Sequence, residues 1–430
     1  MRVRKLNVHR RFSNGAKHKV GELAQNQQGI FFQYDDQYLA DFHSLSPFTL
    51  PFESSLNLGP GQPHQGLQGV FADSLPDGWG LLLMDRVFRQ QGILPHQISP
   101  MDRLAFIGER GMGCLSYTPA MDHTFGDEHL LSDIALLGQE AQQIFEGETD
   151  DILPVLAQAG GSGGARPKVS VWLDPDNTRY VSTQPQSHLS PWLVKFTSRS
   201  LPLGHEESLC EALWLTLAKQ AGLTTPQWQL IHDTGSSGAK AWLALKRFDC
   251  SGKRLDNQSL QGRLHLHTLC GLMDADFRQP SIDYEDLLKA SQVLCQNPAV
   301  AQEQFARAMF NLFAMNQDDH TKNWSFLMDD HGRWSLAPFY DVTFSPTPYS
   351  QHMTAYGGYG TQPPLKVIQK LAKQANFANW NQARQVIEQV VDSVQSWREQ
   401  AGMLDIKPAT QKLIGKQLHE TLQANKGLLR

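Results

Sequence analysis

The densest group of chemically active side chains lies in the segment NQDDHTKN, residues 316–323. Within six positions it brings together acids, bases and an amide: Asp318, Asp319, His320, Lys322 and Asn323. A carboxylate here can accept a hydroxyl proton, and an Asn five residues later can bind Mg²⁺ through its carbonyl oxygen. The preceding residues carry a helical apolar stripe that predicts a core helix aiming this loop. A polar surface turn is the alternative.

A second acid, Asp341, ends the segment LAPFYD, residues 336–341. Two runs of alternating apolar and polar residues flank an Asp- and Gly-rich turn at 329–332, which predicts a β-hairpin. A hairpin of this length returns Asp341 to the end where Asp318 lies. A carboxylate at that end can bridge Mg²⁺ to phosphates, although a turn or cap residue is the alternative.

Upstream, the segment GGSGGARPK at residues 160–168 exposes backbone N–H groups that can wrap phosphates. It is not a Walker A motif, since no GK[ST] follows and the next residues, VSVWL, predict a strand. A glycine-rich loop that leads into a strand suits a lid over a nucleotide. Taken alone, the segment favours an ordinary flexible loop.

Lys195 lies inside the apolar strand-like run WLVKFTS, and Glu211 opens the helix-like run EALWLTLAKQAG. A buried ammonium needs a partner, and a strand Lys with a helix Glu is the ion pair that orients a phosphate-binding lysine in kinases. Alternatively, Lys195 lies on an edge strand and points to water. Glu211 alone is also explained as a carboxylate that favours a helix N-terminus.

The order of these features is glycine loop, strand Lys, helix Glu, D-x4-N loop and hairpin Asp, which is typical of kinases. The HRD and DFG triplets are absent, so the chain is not an ordinary eukaryotic-type protein kinase. A metal-dependent hydrolase using Asp318, Asp319 and His320 is a weaker reading, because it leaves Lys195 and the glycine loop unused.

The whole chain has 430 residues, of which 40% are hydrophobic and 19% charged, and this predicts two or three packed domains. A net charge of -5 excludes an all-over basic nucleic-acid surface, while a local patch stays open. No apolar run approaches the ~18 residues of a membrane helix, and the basic start lacks a secretory signal's apolar stretch. Five scattered cysteines without a CxxC predict a reducing compartment, most simply the cytoplasm.

We divide the chain into residues 1–125, with short strands and a few helices, 126–258, with strands around one helix, and a mostly helical 259–430. Within the first part, residues 29–42 predict strand structure with a turn at Asp35 and Asp36. The expected fold class is α+β.

At this point the sequence resembles HipA-type serine/threonine kinases, the toxin components of bacterial type II toxin–antitoxin systems, over nearly its whole length. The resemblance rests on these segments: GARPK (164–168), VKF (194–196), EALWLTLAKQAG (211–222), KRFD (246–249), NQDDHTKNWSF (316–326), LAPFYD (336–341), and, in the first part, FADSLPDGWG (71–80) and LAFIGERGMGCLSY (104–117). It implies a two-lobed protein-kinase-like fold, with a strand-rich N-lobe and a helical C-lobe, carrying an additional N-terminal α/β domain.

The resemblance also implies a role for each matching residue. Asp318 is the expected proton acceptor, and Asn323 and Asp341 are the expected Mg²⁺ ligands. Lys195 and the loop of Gly163, Gly164, Ala165, Arg166, Pro167 and Lys168 are expected to hold the phosphates. Lys246, Arg247 and Phe248 are expected to meet adenine through their main chain, with Asp249 near the ribose. The remaining expected ATP neighbours are His320, Thr321, Lys322 and Tyr340. Ser162 is the candidate for an autophosphorylation switch found in many members.

The implied activity is phosphoryl transfer from ATP and Mg²⁺ to a Ser or Thr of a protein, with growth arrest as the outcome. Aminoacyl-tRNA synthetases are among the known targets of the family. The usual partner is a small DNA-binding antitoxin of HipB type, through which DNA contact is indirect. Two alternatives stay open: a catalytically silent regulator acting with such an antitoxin, and a kinase for a non-protein acceptor.

Overall fold

The computed structural model describes residues 3–121, 131–149, 151–152, 154–159, 163–186, 188–235, 237–251 and 261–430. Ser162, the candidate for autophosphorylation, lies outside the described residues.

The first part of the chain forms a five-stranded antiparallel sheet in the order β4-β3-β2-β1-β5. Three of its four α-helices pack on the core of this sheet, and the remaining one, α3 (Gly78–Gln90), packs mainly toward the next part. The elements are β1 (Lys5–Arg11), β2 (Lys17–Gln25), β3 (Ile30–Tyr34), α1 (Asp36–Asp41), β4 (Asn57–Leu58), α2 (Gly69–Ala72), α3 (Gly78–Gln90), α4 (Pro100–Ile107) and β5 (Leu115–Thr118).

The prediction for residues 29–42 is wrong in its second half, because a strand is followed by a helix. The Asp35 side chain accepts a hydrogen bond of 3.1 Å from Gln37 N, so it caps α1 instead of forming a hairpin turn. Asp is favoured both in β-turns and at the N-cap of a helix, so its presence does not distinguish the two. The helix also buries only one residue, Tyr38, which is too few to show a helical period in the sequence.

The second part forms a six-stranded antiparallel sheet in the order β10-β11-β9-β7-β8-β6. Its elements are β6 (Leu131–Asp133), α5 (Ile134–Phe145), α6 (Pro154–Ala159), β7 (Lys168–Asp174), β8 (Asn177–Ser182), β9 (Ser190–Lys195), α7 (Glu207–Gln220), β10 (Trp228–His232) and β11 (Ala241–Lys246). Both neighbours of β9 are strands, so Lys195 lies on an interior strand and the edge-strand alternative fails.

The third part is mostly helical around a three-stranded sheet, β12-β14-β15, and a parallel pair, β13 with β16. Its elements are β12 (His265–Thr268), α8 (Leu269–Leu272), β13 (Ile282–Asp283), α9 (Tyr284–Cys295), α10 (Ala299–Phe313), β14 (Ser325–Met328), β15 (Trp334–Leu336), β16 (Thr354–Ala355), α11 (Leu365–Gln374), α12 (Trp380–Gln395), α13 (Trp397–Met403) and α14 (Pro408–Asn425). The predicted hairpin is present as β14 and β15.

Helix α7 connects the second part to the third. Eleven of its fourteen residues are buried, and its apolar side chains share one core with β11 and the C-terminal helices. A helix that is apolar on nearly every face must be covered on all sides. This burial holds Glu211, on the second turn of α7, at a fixed place between the two parts. Among the described residues, no helix is both long and apolar enough to span a membrane.

Candidate active site

A cleft of about 990 Å³, counting its open mouth, lies between the six-stranded sheet and the loops that flank β14 and β15. The predicted site residues that line it are Gly163, Gly164, Lys168, Lys195, Lys246, Arg247, Phe248, His320, Lys322, Asn323, Tyr340 and Asp341. The cleft therefore gathers segments that are nearly 180 residues apart in sequence.

Lys195 is the centre of a charged triad in this cleft. Its Nζ lies 2.5 Å from Glu211 Oε1 and 2.5 Å from Asp341 Oδ1. Burial alone would lower the pKa of Lys195, but the two carboxylates raise it, so the ammonium is retained. The helix-terminus explanation of Glu211 is not needed, since α7 begins four residues earlier and the Glu211 side chain is only 2% exposed.

Asp341 follows the hairpin in a left-handed backbone conformation, with φ of 55°. Asp is among the few non-glycine residues that tolerate this region. Burial by itself would raise the pKa of Asp341, but Lys195 and Lys168 lower it well below its usual range. Its carboxylate is thus ionised and fixed at the cleft wall, where it can bind a cation.

The catalytic-loop candidate begins directly after α10 and ends in a short 3-10 helix, Thr321–Asn323. Asn323, which lines the cleft, donates a hydrogen bond of 2.8 Å from Nδ2 to the Asp318 main-chain oxygen, so its Oδ1 is the side-chain atom that can bind a cation. Asp318 does not line the cleft itself but lies beside it, with Oδ1 3.9 Å from His320 Nε2. Asp319 and Thr321 of the same loop are buried, so the segment as a whole is not an exposed surface turn.

The Asp318 side chain is 64% exposed, as an incoming acceptor requires. Partial burial raises the pKa of Asp318, Asp341 adds to the rise, and His320 opposes it. A raised pKa means that the Asp318 carboxylate takes up a proton more readily than a free Asp does.

Asp319, although adjacent, has a different environment. Its side chain is 0% exposed and accepts hydrogen bonds from Tyr284 Oη (2.5 Å), His352 Nδ1 (2.9 Å) and Met353 N (2.8 Å). A carboxylate with its oxygens so occupied anchors the loop and is not open to a metal ion. The hydrolase reading, which needs Asp319 as a ligand, therefore loses one of its three residues.

In the described part of the glycine loop, Lys168 Nζ donates a hydrogen bond of 2.8 Å to Gly163 O. Burial lowers the pKa of Lys168 to about 8, against the opposing effect of Asp341. Ala165, Arg166 and Pro167 do not line the cleft. Arg166 instead pairs through Nη1 with Glu207 Oε2 at 2.9 Å, at the start of α7.

Asp249 is placed differently from the ribose contact that the family resemblance implies. Its side chain is 0% exposed and accepts hydrogen bonds from Arg247 Nη2 (2.5 Å) and Gly113 N (2.7 Å). Burial would raise the pKa of Asp249, but Arg247 lowers it to about 2. A buried ion pair is stable only when both partners are charged, so Arg247 keeps Asp249 ionised. Through Gly113 and Arg247 the carboxylate joins the first and second parts of the chain, and it does not face the cleft. Thr321 is likewise buried and off the cleft surface.

The sequence interpretation missed four cleft-lining residues from the first part of the chain: Asp73, Leu75, Asp77 and Met112. Asp77 Oδ2 lies 2.7 Å from Lys322 Nζ, and Asp77 also accepts a hydrogen bond from Gly164 N. The available signal was the acid in LPDGWG, directly before the glycine that starts a helix.

The donors that face the cleft suit a magnesium–nucleotide complex. Asn323 Oδ1 and an Asp341 carboxylate oxygen are hard oxygen ligands, and Mg²⁺ in nucleotide sites uses one or two protein ligands with phosphates and water. The described residues hold no group of three or more His, Cys, Asp and Glu that could bind a metal unaided. Leu193, Leu245, Leu266 and Phe248 supply an apolar section for a base.

Two protein-family models match the chain, one in its N-terminal part and one across the other two parts. Residues 15–118 match the HipA N-terminal domain, and residues 160–398 match the HipA-like C-terminal domain. The chain is similar to the "Putative kinase Y4mE" of Sinorhizobium fredii, with 25% identity over 347 residues, covering 75% of this chain and 74% of that relative. It is also 25% identical over 202 residues to a "Putative kinase" of Haemophilus influenzae, covering 46% of this chain and 56% of that relative. The match thus spans little more than half of the Haemophilus protein.

A solved structure shares the fold across the whole chain. It is a chain of the HipA, HipB and operator DNA complex of the Shewanella oneidensis MR-1 toxin–antitoxin system, with a TM-score of 0.71 and 19% identity, covering 99% of this chain and 97% of that one.

The fold class is therefore confirmed as the two-lobed, kinase-like α+β architecture with an added N-terminal domain. The chain belongs to the HipA family, as the matched domain models establish and the sequence motifs predicted.

Proposed function

We propose that this protein is an ATP-dependent serine/threonine protein kinase of HipA type, acting as the toxin of a toxin–antitoxin system. The observation that carries the proposal is the Lys195 triad with Glu211 and Asp341, in a cleft whose opposite wall carries Asn323 and His320. A strand Lys paired to a helix Glu beside a cation-binding Asp is the arrangement that orients ATP phosphates in kinases.

In the proposed reaction, Lys195 and Lys168 hold the phosphates, and Asp318 accepts the proton of the attacking hydroxyl. Mg²⁺, held by Asn323 and Asp341, would neutralise charge that develops on the β- and γ-phosphates. The chain's own contribution is positioning and electrostatic stabilisation, since it forms no covalent bond to the phosphoryl group.

Adenine would lie against Phe248 and Tyr340, whose ring centroids are 5.5 Å apart. Lys246 N and Arg247 N already donate within the sheet, to Gln227 O (2.8 Å) and Pro191 O (3.1 Å). Of the three main-chain donors expected at adenine, Phe248 N is therefore the one we assign to it.

The partner we propose is a small DNA-binding antitoxin of HipB type, with DNA contact through that antitoxin. Support comes from the shared fold with a chain of the HipA–HipB–operator DNA complex. The acceptor is proposed to be a Ser or Thr of a cellular protein, with aminoacyl-tRNA synthetases as the first candidates. A cytoplasmic location fits five cysteines that are all free thiols.

We keep the division into 1–125, 126–258 and 259–430 as a proposal. It is supported by the sheets, since each of the three largest lies within one of these ranges.

The test is transfer of labelled phosphate from ATP, with phosphoproteomics of cells that express the protein to identify the acceptor. We expect Asp318→Ala and Asp341→Ala to abolish transfer, because they remove the proton acceptor and a cation ligand. Asp341→Ala should also lose Mg²⁺-dependent ATP binding, which Asp318→Ala should retain. Wild-type transfer by either variant contradicts the assignment, and ATP binding without any transfer favours the silent regulator.

A further inference from the structure

The glycine loop is held from outside its own lobe, by the first residues of α3 and the residue before them. Trp79 N donates to Gly164 O at 3.0 Å, and Trp79 Nε1 donates to Lys168 O at 2.8 Å. Gly164 N in turn donates to the Asp77 carboxylate. Both main-chain polar groups of Gly164 are therefore bonded to the N-terminal part of the chain.

Asp77 also reaches the other side of the cleft. Its Oδ2 lies 2.7 Å from Nζ of Lys322, which belongs to the catalytic-loop candidate. The Asp77 side chain is only 14% exposed, so water screens the pair weakly. Burial would raise the pKa of Asp77, but Lys322 lowers it, so the bridging group is a carboxylate.

Gly78 shows how closely the two segments approach. A Cβ built at this position would lie 2.6 Å from Ala165 Cα, and its φ is +43°. Any side chain at residue 78 would therefore push the glycine loop away.

The N-terminal part is itself docked firmly on the third part, close to the catalytic loop. Asp73 Oδ2 accepts hydrogen bonds from Thr268 N (2.7 Å) and His267 Nδ1 (2.6 Å), and Asp73 Oδ1 accepts from the Thr268 hydroxyl (2.7 Å). A segment anchored in this way can fix the distance between the glycine loop and the catalytic loop.

We propose that Asp77, Gly78 and Trp79 form a clamp that sets the glycine loop at the distance needed to grip the phosphates of the nucleotide. Asp77 is then a positioning residue, which acts through Gly164 and Lys322 without touching the reacting atoms. The inference rests on the proposed function, in that the cleft must bind ATP. It assigns part of the nucleotide site to the N-terminal domain, which the kinase-type residues alone do not include.

The clamp acts on the loop that faces the phosphates. Loss of the clamp should therefore weaken the binding of ATP and leave the binding of adenosine unchanged. In calorimetric titrations of the full chain, we expect Asp77→Asn to raise the Kd for Mg·ATP about tenfold, as for loss of one charge-assisted contact. The Kd for adenosine should stay within about twofold of wild type, because its base and ribose do not reach the loop. Asp85→Asn is the matched control: it is the same change, made inside the helix that Asp77 precedes, and there Asp85 pairs with Arg103 at 2.7 Å.

Gly78→Ala tests the close approach with the same two ligands, and its control is Gly92→Ala. Both glycines have positive φ, +43° and +78°, but no atom lies within 4 Å of a Cβ at residue 92. Gly78→Ala should weaken Mg·ATP at least as much as Asp77→Asn does, while Gly92→Ala should match wild type. If Gly78→Ala does not fold, the Asp77→Asn titration decides alone.

The outcomes separate this inference from the proposed function. If the wild-type chain binds Mg·ATP and Asp77→Asn binds it with the same Kd, the clamp is overturned and the kinase proposal still stands. Equal weakening of ATP and adenosine also overturns it, since that pattern indicates general damage to the cleft. A wild-type chain that binds no nucleotide overturns both.

Discussion

Lys168 is a lysine of the cleft whose charge changes close to neutral pH. Its side chain is buried and donates to a main-chain oxygen of the glycine loop, Gly163 O, at 2.8 Å. Burial lowers its pKa to about 8, whereas the carboxylates around Lys195 raise the pKa of that lysine. Lys168 therefore loses its proton within the range in which nucleotide binding is measured, and Lys195 does not.

We predict that affinity for Mg·ATP falls as the pH rises through the pKa of Lys168. The ammonium attracts phosphate and the neutral amine does not, so deprotonation of the free protein opposes binding. With a pKa of about 8, the Kd should rise about tenfold between pH 7 and pH 9. Lys168→Arg should flatten this profile, since a guanidinium stays protonated throughout.

The measurement is Kd against pH for wild type and Lys168→Arg, with Lys240→Arg as a surface control. Lys240 pairs with Asp405 far from the cleft. Identical profiles for wild type and Lys168→Arg would assign the pH dependence to another group.

At this scale, the sequence predicted residues that the structure brings together in one cluster, such as Lys195, Glu211 and Asp341. It did not predict the buried position of Asp249, because one of its partners, Gly113, lies 136 residues away in the N-terminal part. Asp77 appeared only within the segment FADSLPDGWG, with no role assigned, since nothing in its neighbours reveals contacts with residues 164 and 322.

Among the elements, the catalytic loop depends most on a single anchor. Asp319 connects it to residues 352–354 through His352 Nδ1, Met353 N and Thr354 N, at 2.9, 2.8 and 3.1 Å. Asp318 precedes this anchor by one residue and is itself exposed. The position of Asp318, the proposed proton acceptor, is thus set by a neighbour to which the proposed reaction gives no chemical role.

We predict that Asp319→Ala lowers the free energy of unfolding by about 3–5 kcal/mol, because it leaves buried polar partners unpaired. Phosphoryl transfer should fall with it, as Asp318 loses its fixed position. Asp319→Asn should cost less, since it preserves shape and can still accept from Met353 N. Urea unfolding of both variants, with Asp176→Ala at an exposed turn as control, measures the effect. A loss no larger than that of the control would contradict the anchoring role.

The elements themselves were predicted unevenly. The hairpin of β14 and β15 could be read from its alternation and its Asp- and Gly-rich turn, and α7 from its long apolar run. The strand–helix order of residues 30–41 could not, because Asp35 fits a turn and a helix cap equally well. In such short elements, the conformational preferences of the residues decide the structure only when the pattern of buried residues favours the same structure.

On the scale of the whole molecule, the N-terminal part completes a cleft that kinase-type residues alone would leave open on one side. Its contacts with the third part include Asp73 at β12, Arg10 Nη2 with Asp329 O (2.9 Å), and His265 Nε2 with Leu45 O (2.8 Å). The sequence indicated an additional domain but not that it would reach the cleft. Contacts between residues some 200 positions apart leave no periodic signal.

We predict that Asp73→Ala loosens this docking without unfolding the kinase-like lobes. The substitution leaves Thr268 N and the buried His267 ring without their carboxylate partner, which costs about 3 kcal/mol. Amide hydrogen exchange should therefore speed up in β1–β5 and at residues 163–168, while α9, α10 and α12 keep wild-type protection. Asp276→Ala is the control, because Asp276 contacts only its neighbour Arg278 among the ion pairs described here. Uniform exchange across all three parts of Asp73→Ala would mean that the chain unfolds as a single cooperative unit and that the N-terminal part has no separate docking equilibrium.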